Sequence, residues 1–157
     1  MNMNNELQTG QNQNDIIQEI EIASKQRECR DIGDLEGETW KNIPEYEGRY
    51  IVSNYGRVKY LSRHDKAGKF WSDRICKQHK VMGYPAVSIS KLSEKPNSLY
   101  VHKLIALAFI PNSDNKSQIN HKNAIKTDDR LENLEWCTPK ENIQHAISIG
   151  HMDYLFG

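Results

Sequence analysis

Disulfide chemistry, zinc knuckles and membrane crossing all lack their raw material in this sequence. Its 157 residues hold three cysteines, Cys29, Cys76 and Cys137. None stands in a C-x-x-C pair, so neither a disulfide framework nor a four-cysteine zinc site can be assembled, and reduced thiols are expected. No window approaches the roughly 18 consecutive apolar residues that a bilayer-crossing helix needs, and the N-terminus has no basic-then-apolar leader. With 37% apolar and 27% charged residues and a mean hydropathy of -0.79, the expectation is one compact, soluble, intracellular domain with tails.

Net charge is also lacking, because 21 basic residues balance 21 acidic ones, but they are placed unevenly. Residues 1–39 carry -6, residues 40–103 carry +8 and residues 104–157 carry -2. The basic middle third reads as a surface for a polyanion, against the plainer reading of a solvated face with scattered lysines.

The first 14 residues are rich in Asn and Gln and have almost nothing to bury, which predicts a disordered tail. Ile16, Ile17, Ile20 and Ala23 then form a short helical stripe, followed by a linker to about Gly37. From Trp40 the pattern sharpens. Tyr50 and Val52 alternate with Ile51 and Ser53, Asn54-Tyr55-Gly56 tolerates positive φ, and Val58, Tyr60 and Leu61 resume the apolar pattern, which predicts a hairpin. A second strand pair is expected over 84–90 and 99–101, around a turn at 94–98. Val101, Leu104, Ile105, Ala108 and Phe109 recur at helical spacing, with Pro111 closing that helix. A short strand over 118–122 and a return lined by Leu131, Leu134 and Trp136 lead to Thr138-Pro139-Lys140-Glu141. This has the form of a capping box with proline in the first turn, opening a last helix that stops near Gly150.

The expected order strand, turn, strand, helix puts polar side chains of the kinds used in phosphodiester chemistry where they can converge: Asn120, His121, Asn133, Asn142 and His145. Asn142 and His145 are three apart and share one helical face, whose N-terminus offers a positive dipole end to a phosphate. Hydrolysis of a phosphodiester needs a base for water and an electrophile for the departing oxyanion. A histidine titrating near neutrality and a divalent ion held by the amide oxygens of Asn120 and Asn142 would supply these. The alternative is that these residues only form turns.

The stretch VHKLIALAFIPNSDNKSQINHKNAIKTDDRLENLEWCTPKENIQHA, residues 101–146, resembles the HNH nuclease domain of phage and intron homing endonucleases. The preceding WKNIPEYEGRYIVSNYGRVKYL, residues 40–61, is similar to the nuclease-associated modular DNA-binding motif that often precedes such domains. Together with the connecting residues the resemblance covers about 38–148. It implies an α+β chain: an acidic, largely disordered arm over 1–37 with a short helix, a small antiparallel sheet module over 38–100, a ββα-metal finger over 101–150 and a tail over 151–157. It implies a metal-dependent endonuclease that leaves a 5′-phosphate and a 3′-hydroxyl on double-stranded DNA. His121 matches the general base, Asn133 the middle asparagine that orients the finger and its histidine, and His145 a histidine found on the same helix in other HNH nucleases. Asn120 and Asn142 match the ligands of one divalent ion, Mg2+ in the first place or Mn2+. Phage or mobile-element origin, action in the cytoplasm of a bacterial host, a monomeric state and no membrane association complete what it implies.

The chain departs from the family where H-x-D-G-N-K becomes His121-Lys122-Asn123-Ala124-Ile125-Lys126. Alanine in place of glycine costs on the order of 1 kcal/mol if φ is positive there, and the ligand set holds no carboxylate. The basic run Arg57, Lys59, Arg63, Lys66, Lys69, Arg74, Lys77 and Lys80, interleaved with Tyr60, Phe70 and Trp71, is read as the phosphate-contacting surface. Trp40, Tyr46, Tyr50 and Tyr55 are read as core rather than DNA-stacking, and His102 as a structural histidine. The competing functional readings are a DNA-binding regulatory protein that has lost turnover through residues 123–125, and a protein-interaction module.

Overall fold

A computed structural model describes residues 4–150; the tail expected over 151–157 lies outside the described residues. The chain runs helix α1 (Asn4–Glu28), strands β1 (Trp40–Asn42), β2 (Tyr50–Ser53), β3 (Val58–Tyr60), β4 (Arg63–His64), β5 (Phe70–Trp71), β6 (Arg74–Ile75), β7 (Gln78–Val81), β8 (Tyr84–Ile89) and β9 (Asn97–Tyr100). Helix α2 (Val101–Phe109), strand β10 (Gln118–His121), a 3-10 turn (Leu131–Asn133), strand β11 (Leu134–Cys137) and helix α3 (Pro139–Ser148) follow. This is the α+β chain of small antiparallel sheets that the sequence predicts.

The hairpin of β2 and β3 turns at Gly56, whose φ of 87° suits a residue without Cβ. Its register sets Tyr50 against Tyr60 and Val52 against Val58, so the alternation seen in the sequence becomes one buried face. The Tyr50 and Tyr60 rings meet edge to face at 5.4 Å, and Tyr46 adds a second such contact on Tyr50 at 6.0 Å, which places these tyrosines in the core as expected. Strands β1 and β6 flank the hairpin, and β7, β8 and β9 form a separate three-stranded sheet.

Helix α2 follows β9 without a linker and buries Val101, Leu104 and Ile105. These pack in one cluster with Tyr50, Val52, Val58 and Tyr60 of the hairpin, Val87 and Ile89 of β8 and Leu134 of β11. Each such side chain contributes about 1.5–3 kcal/mol on burial, and they draw on a common core. The boundary expected between residues 100 and 101 is therefore no break in the packing: the sheet module and the finger share α2.

Two sequence expectations are corrected here. The N-terminal segment over 4–14, expected to be disordered, belongs to the 25-residue helix α1. Glu6, Leu7, Gln8, Gln11 and Gln13 favour helix intrinsically, and a helix satisfies its own backbone hydrogen bonds without a buried face; Ile16, Ile17 and Ile22 of α1 remain exposed. Arg57, expected to face phosphate, is fully buried. Its guanidinium pairs with Glu38 through Nε at 2.8 Å and through Nη2, and donates to the Gly33 carbonyl at 2.8 Å. It clamps the segment before β1 to the hairpin, because a charge can be buried only where paired and hydrogen-bonded.

Candidate active site

Strands β10 and β11 form a two-stranded ribbon in which Asn120 faces Glu135 and His121 faces Leu134. The loop between them is tied by a polar knot. Asn133 donates through Nδ2 to Asn123 Oδ1 at 2.9 Å and to the Asp128 carbonyl at 2.8 Å, and accepts from the Asn123 backbone N–H at 3.1 Å. Asn123 also donates to Asp128 Oδ2 and accepts from the Ile125 N–H at 3.0 Å. Burial alone would raise the Asp128 carboxyl, but hydrogen bonds from Arg130 and Asn123 hold it below the usual carboxylate range. Asn123 therefore fills the acceptor role of an acidic residue in this turn. Ala124 adopts a φ of 62°, the left-handed conformation in which alanine is strained.

Helix α3 begins as the capping box predicts: Thr138 Oγ1 accepts from the Glu141 N–H at 3.2 Å, and Glu141 accepts from the Thr138 N–H at 2.7 Å. Its first turns bring Asn142 and His145 to the ribbon. Asn142 donates to Gln118 Oε1 at 3.0 Å, and His145 donates through Nε2 to the Lys122 carbonyl at 3.1 Å.

A cavity of about 360 Å3 opens between ribbon and helix, lined by Asn120, His121, Asn142 and His145 together with Tyr84, Lys126 and apolar residues. Four of the five residues singled out from the sequence thus line one space, while Asn133 supports the loop behind it. Asn120 donates through Nδ2 to Glu135 Oε1 at 2.9 Å, as Asn142 does to Gln118. In both amides the NH2 end is spent on a neighbour, so the carbonyl oxygen is the end available to an ion. Two neutral oxygens fit a hard divalent ion such as Mg2+ or Mn2+ that keeps water in its remaining positions.

His121 is 6% exposed, and its Nε2 lies 2.8 Å from Oδ1 of the fully buried Asp129. His102, read from the sequence as structural, packs edge to face on the His121 ring at 5.0 Å and stacks on Tyr100 at 5.3 Å. Burial, then the charges of His121 and Lys103, push His102 down to about 3, so it is neutral near pH 7. His102, His121 and Asp129 each present a ligand atom within 4.8 Å of the others. Sequence reasoning passed over Asp129; its signal was only an acidic residue eight positions beyond the histidine, across a turn of unknown shape.

Of the basic run, Lys59 is nearly buried, with its amine 4.2 Å from the centre of the Trp40 ring. Arg63 is partly exposed over Tyr60 at 4.8 Å. Lys66, Lys69, Arg74, Lys77 and Lys80 are exposed, Lys69 over Trp71 at 4.4 Å and Arg74 over Tyr60 at 4.6 Å. Lys77 and Lys80 also line a second cavity of about 300 Å3 with Arg30 and His79. No helix among the described residues is long and apolar enough to cross a membrane.

Comparison with known proteins matches residues 38–90 to the NUMOD4 motif and residues 99–144 to the HNH endonuclease model. An uncharacterized HNH endonuclease of Acanthamoeba polyphaga mimivirus is 40% identical over 114 residues, 70% of this chain and 26% of that protein. The DNA endonuclease I-HmuI of Bacillus phage SP01 is 32% identical over 114 residues, 73% of this chain and 60% of that protein. A solved structure described as DNA binding and cleavage by the HNH homing endonuclease I-HmuI superposes with a TM-score of 0.58 at 31% identity, covering 71% of this chain and 59% of that one. The chain thus spans between about a quarter and three fifths of the length of these relatives.

Proposed function

This chain belongs to the HNH endonucleases of the homing type, and on that premise we propose that it is a metal-dependent endonuclease hydrolysing phosphodiester bonds of double-stranded DNA. The observation that carries the proposal is the meeting of Asn120, His121, Asn142 and His145 around one cavity. His121 takes a proton from the attacking water. The oxygens of Asn120 and Asn142 would hold one divalent ion, Mg2+ or Mn2+, which when bound would supply positive charge to offset the charge that develops in the reaction. His145, fixed on the Lys122 carbonyl, faces the phosphate from α3, and Asn133 holds the loop that follows His121. The exposed Lys66, Lys69, Arg74, Lys77 and Lys80, with Arg63 beside them, contact the DNA backbone and fix its register without reading its sequence.

We assign the chain to a phage or mobile element acting as a monomer in the bacterial cytoplasm. The phage origin of one relative supports the first part; sedimentation of the free protein tests the monomer. A second reading, a DNA-binding protein without turnover, is favoured by the strained Ala124 and by ligands that carry no charge. Incubation with supercoiled plasmid separates the two. The nuclease reading expects nicking in Mg2+ or Mn2+ that chelator stops and His121→Ala lowers by about 10²–10⁴-fold, with the variant still retarding plasmid. Retardation without metal-dependent nicking by the wild-type protein would establish the second reading instead.

A further inference from the structure

Resting on the nuclease reading, we infer that Asp129 is a positioning residue for His121, holding the ring so that Nε2 carries the proton and the Nδ1 lone pair is left for the attacking water. The 2.8 Å contact between His121 Nε2 and Asp129 Oδ1 joins two side chains that are 6% and 0% exposed. With Asp129 ionised and the imidazole neutral, the carboxylate only accepts, which makes Nε2 the donor, and the single N–H of the ring leaves Nδ1 as the acceptor. Turning the ring over would put a carbon against Asp129 and forfeit a buried, charge-assisted hydrogen bond.

The carboxylate is itself held in place. Its neighbour Asp128 is gripped by Arg130 through Nε and Nη2, each at 2.8 Å, and by Asn123. On the other side the Leu131 N–H donates to the Asn54 carbonyl at 3.1 Å, tying the segment to the β2–β3 turn. The ring of His121 is walled by His102 at 5.0 Å and Tyr84 at 5.7 Å, which limits its swing. The side chain of Asn133, by contrast, is spent on Asn123 and Asp128; it shapes the loop that carries Asp129, and the direct hydrogen bond to the base comes from the carboxylate.

In the hydrolytic step the water proton passes to Nδ1, the water oxygen bonds to phosphorus, and the bond to the 3′-oxygen breaks with its electron pair leaving on that oxygen, which takes a proton from solvent to become the 3′-hydroxyl. Asp129 gains no proton: the one on Nε2 stays there, and the adjacent negative charge stabilises the imidazolium as it forms.

Nitrogen-15 NMR of the free protein, with the ring in its neutral form and the signal identified by its loss in His121→Ala, reads the tautomer without DNA or metal. The expected result is the Nε2–H form with a slowly exchanging downfield proton in the wild type. Loss of that proton is expected in Asp129→Ala, with kcat on DNA reduced about 10–100-fold and KM unchanged. An Nδ1–H tautomer in the wild type, or a folded Asp129→Ala with unaltered kcat, would overturn the assignment. Should Asp129→Ala fail to fold, the wild-type tautomer decides alone. An Nε2–H wild type that never cleaves DNA would sink the nuclease reading and not the tautomer; an active wild type in the Nδ1–H form would do the reverse.

Discussion

At the scale of single residues, the site is built from neutral groups where charge would have been simpler. On the proposed reading Asn120 and Asn142 offer oxygens but no negative charge, so an ion would be held weakly until DNA adds a phosphate oxygen. Asn142→Asp should tighten Mn2+ binding by the free protein by roughly tenfold, on the order of 1.4 kcal/mol. Asn120→Asp should gain less, because it loses the amide that donates to Glu135 at 2.9 Å and sets like charges together. Calorimetric titration with Mn2+ ranks the two variants, and equal gains would show that Glu135 is not felt at position 120. Ala124 makes a second residue-scale test. With φ at 62°, Ala124→Gly should stabilise the protein by about 1 kcal/mol, seen as a higher denaturation midpoint with unchanged slope.

At the scale of elements, legibility followed periodicity. Helix α2 was plain because five apolar residues fall on one face, and α3 because its capping box is a local hydrogen-bond pattern; both appear where the sequence placed them. The β2–β3 hairpin was plain because Tyr50, Val52, Val58 and Tyr60 recur two apart on either side of a turn glycine. The β4–β5 ribbon was not legible: strands of two residues have no period. It is organised instead by Asp65, which accepts from the N–H groups of Ala67 and Lys69 at 3.0 Å each and from the Trp71 indole at 3.1 Å. Arg57 was misread because charge in a basic run says nothing of which side of a strand it occupies. Its place in the structure makes a sharp contrast. Arg57→Ala should cost about 3–5 kcal/mol by stranding Glu38 in the core, measured by chemical denaturation. Lys77→Ala and Lys80→Ala should leave stability within about 0.5 kcal/mol and each lower the salt slope of DNA binding by about one. Equal denaturation midpoints for all three variants would contradict this division.

At the scale of the whole molecule, a core shared through α2 makes the basic sheet module and the finger one body, so the exposed lysines stand at a fixed position relative to the cavity. On the nuclease reading, that is how contacts without sequence information would still place one phosphodiester beside His121. The resemblance to HNH nucleases was legible in the sequence; the arrangement behind the candidate residues was not. His102 and Asp129 reach His121 from α2 and from the loop before the 3-10 turn, and no spacing rule links positions 102, 121 and 129. The central claim is that the base and the ion-holding amides serve one phosphate. Anomalous scattering from crystals of the His121→Ala variant with a short DNA duplex and Mn2+ tests this most directly. The account predicts an ion on the oxygens of Asn120 and Asn142, with an uncut phosphate beside it facing position 121. An ion bound elsewhere, or a phosphate beyond reach of position 121, would contradict it.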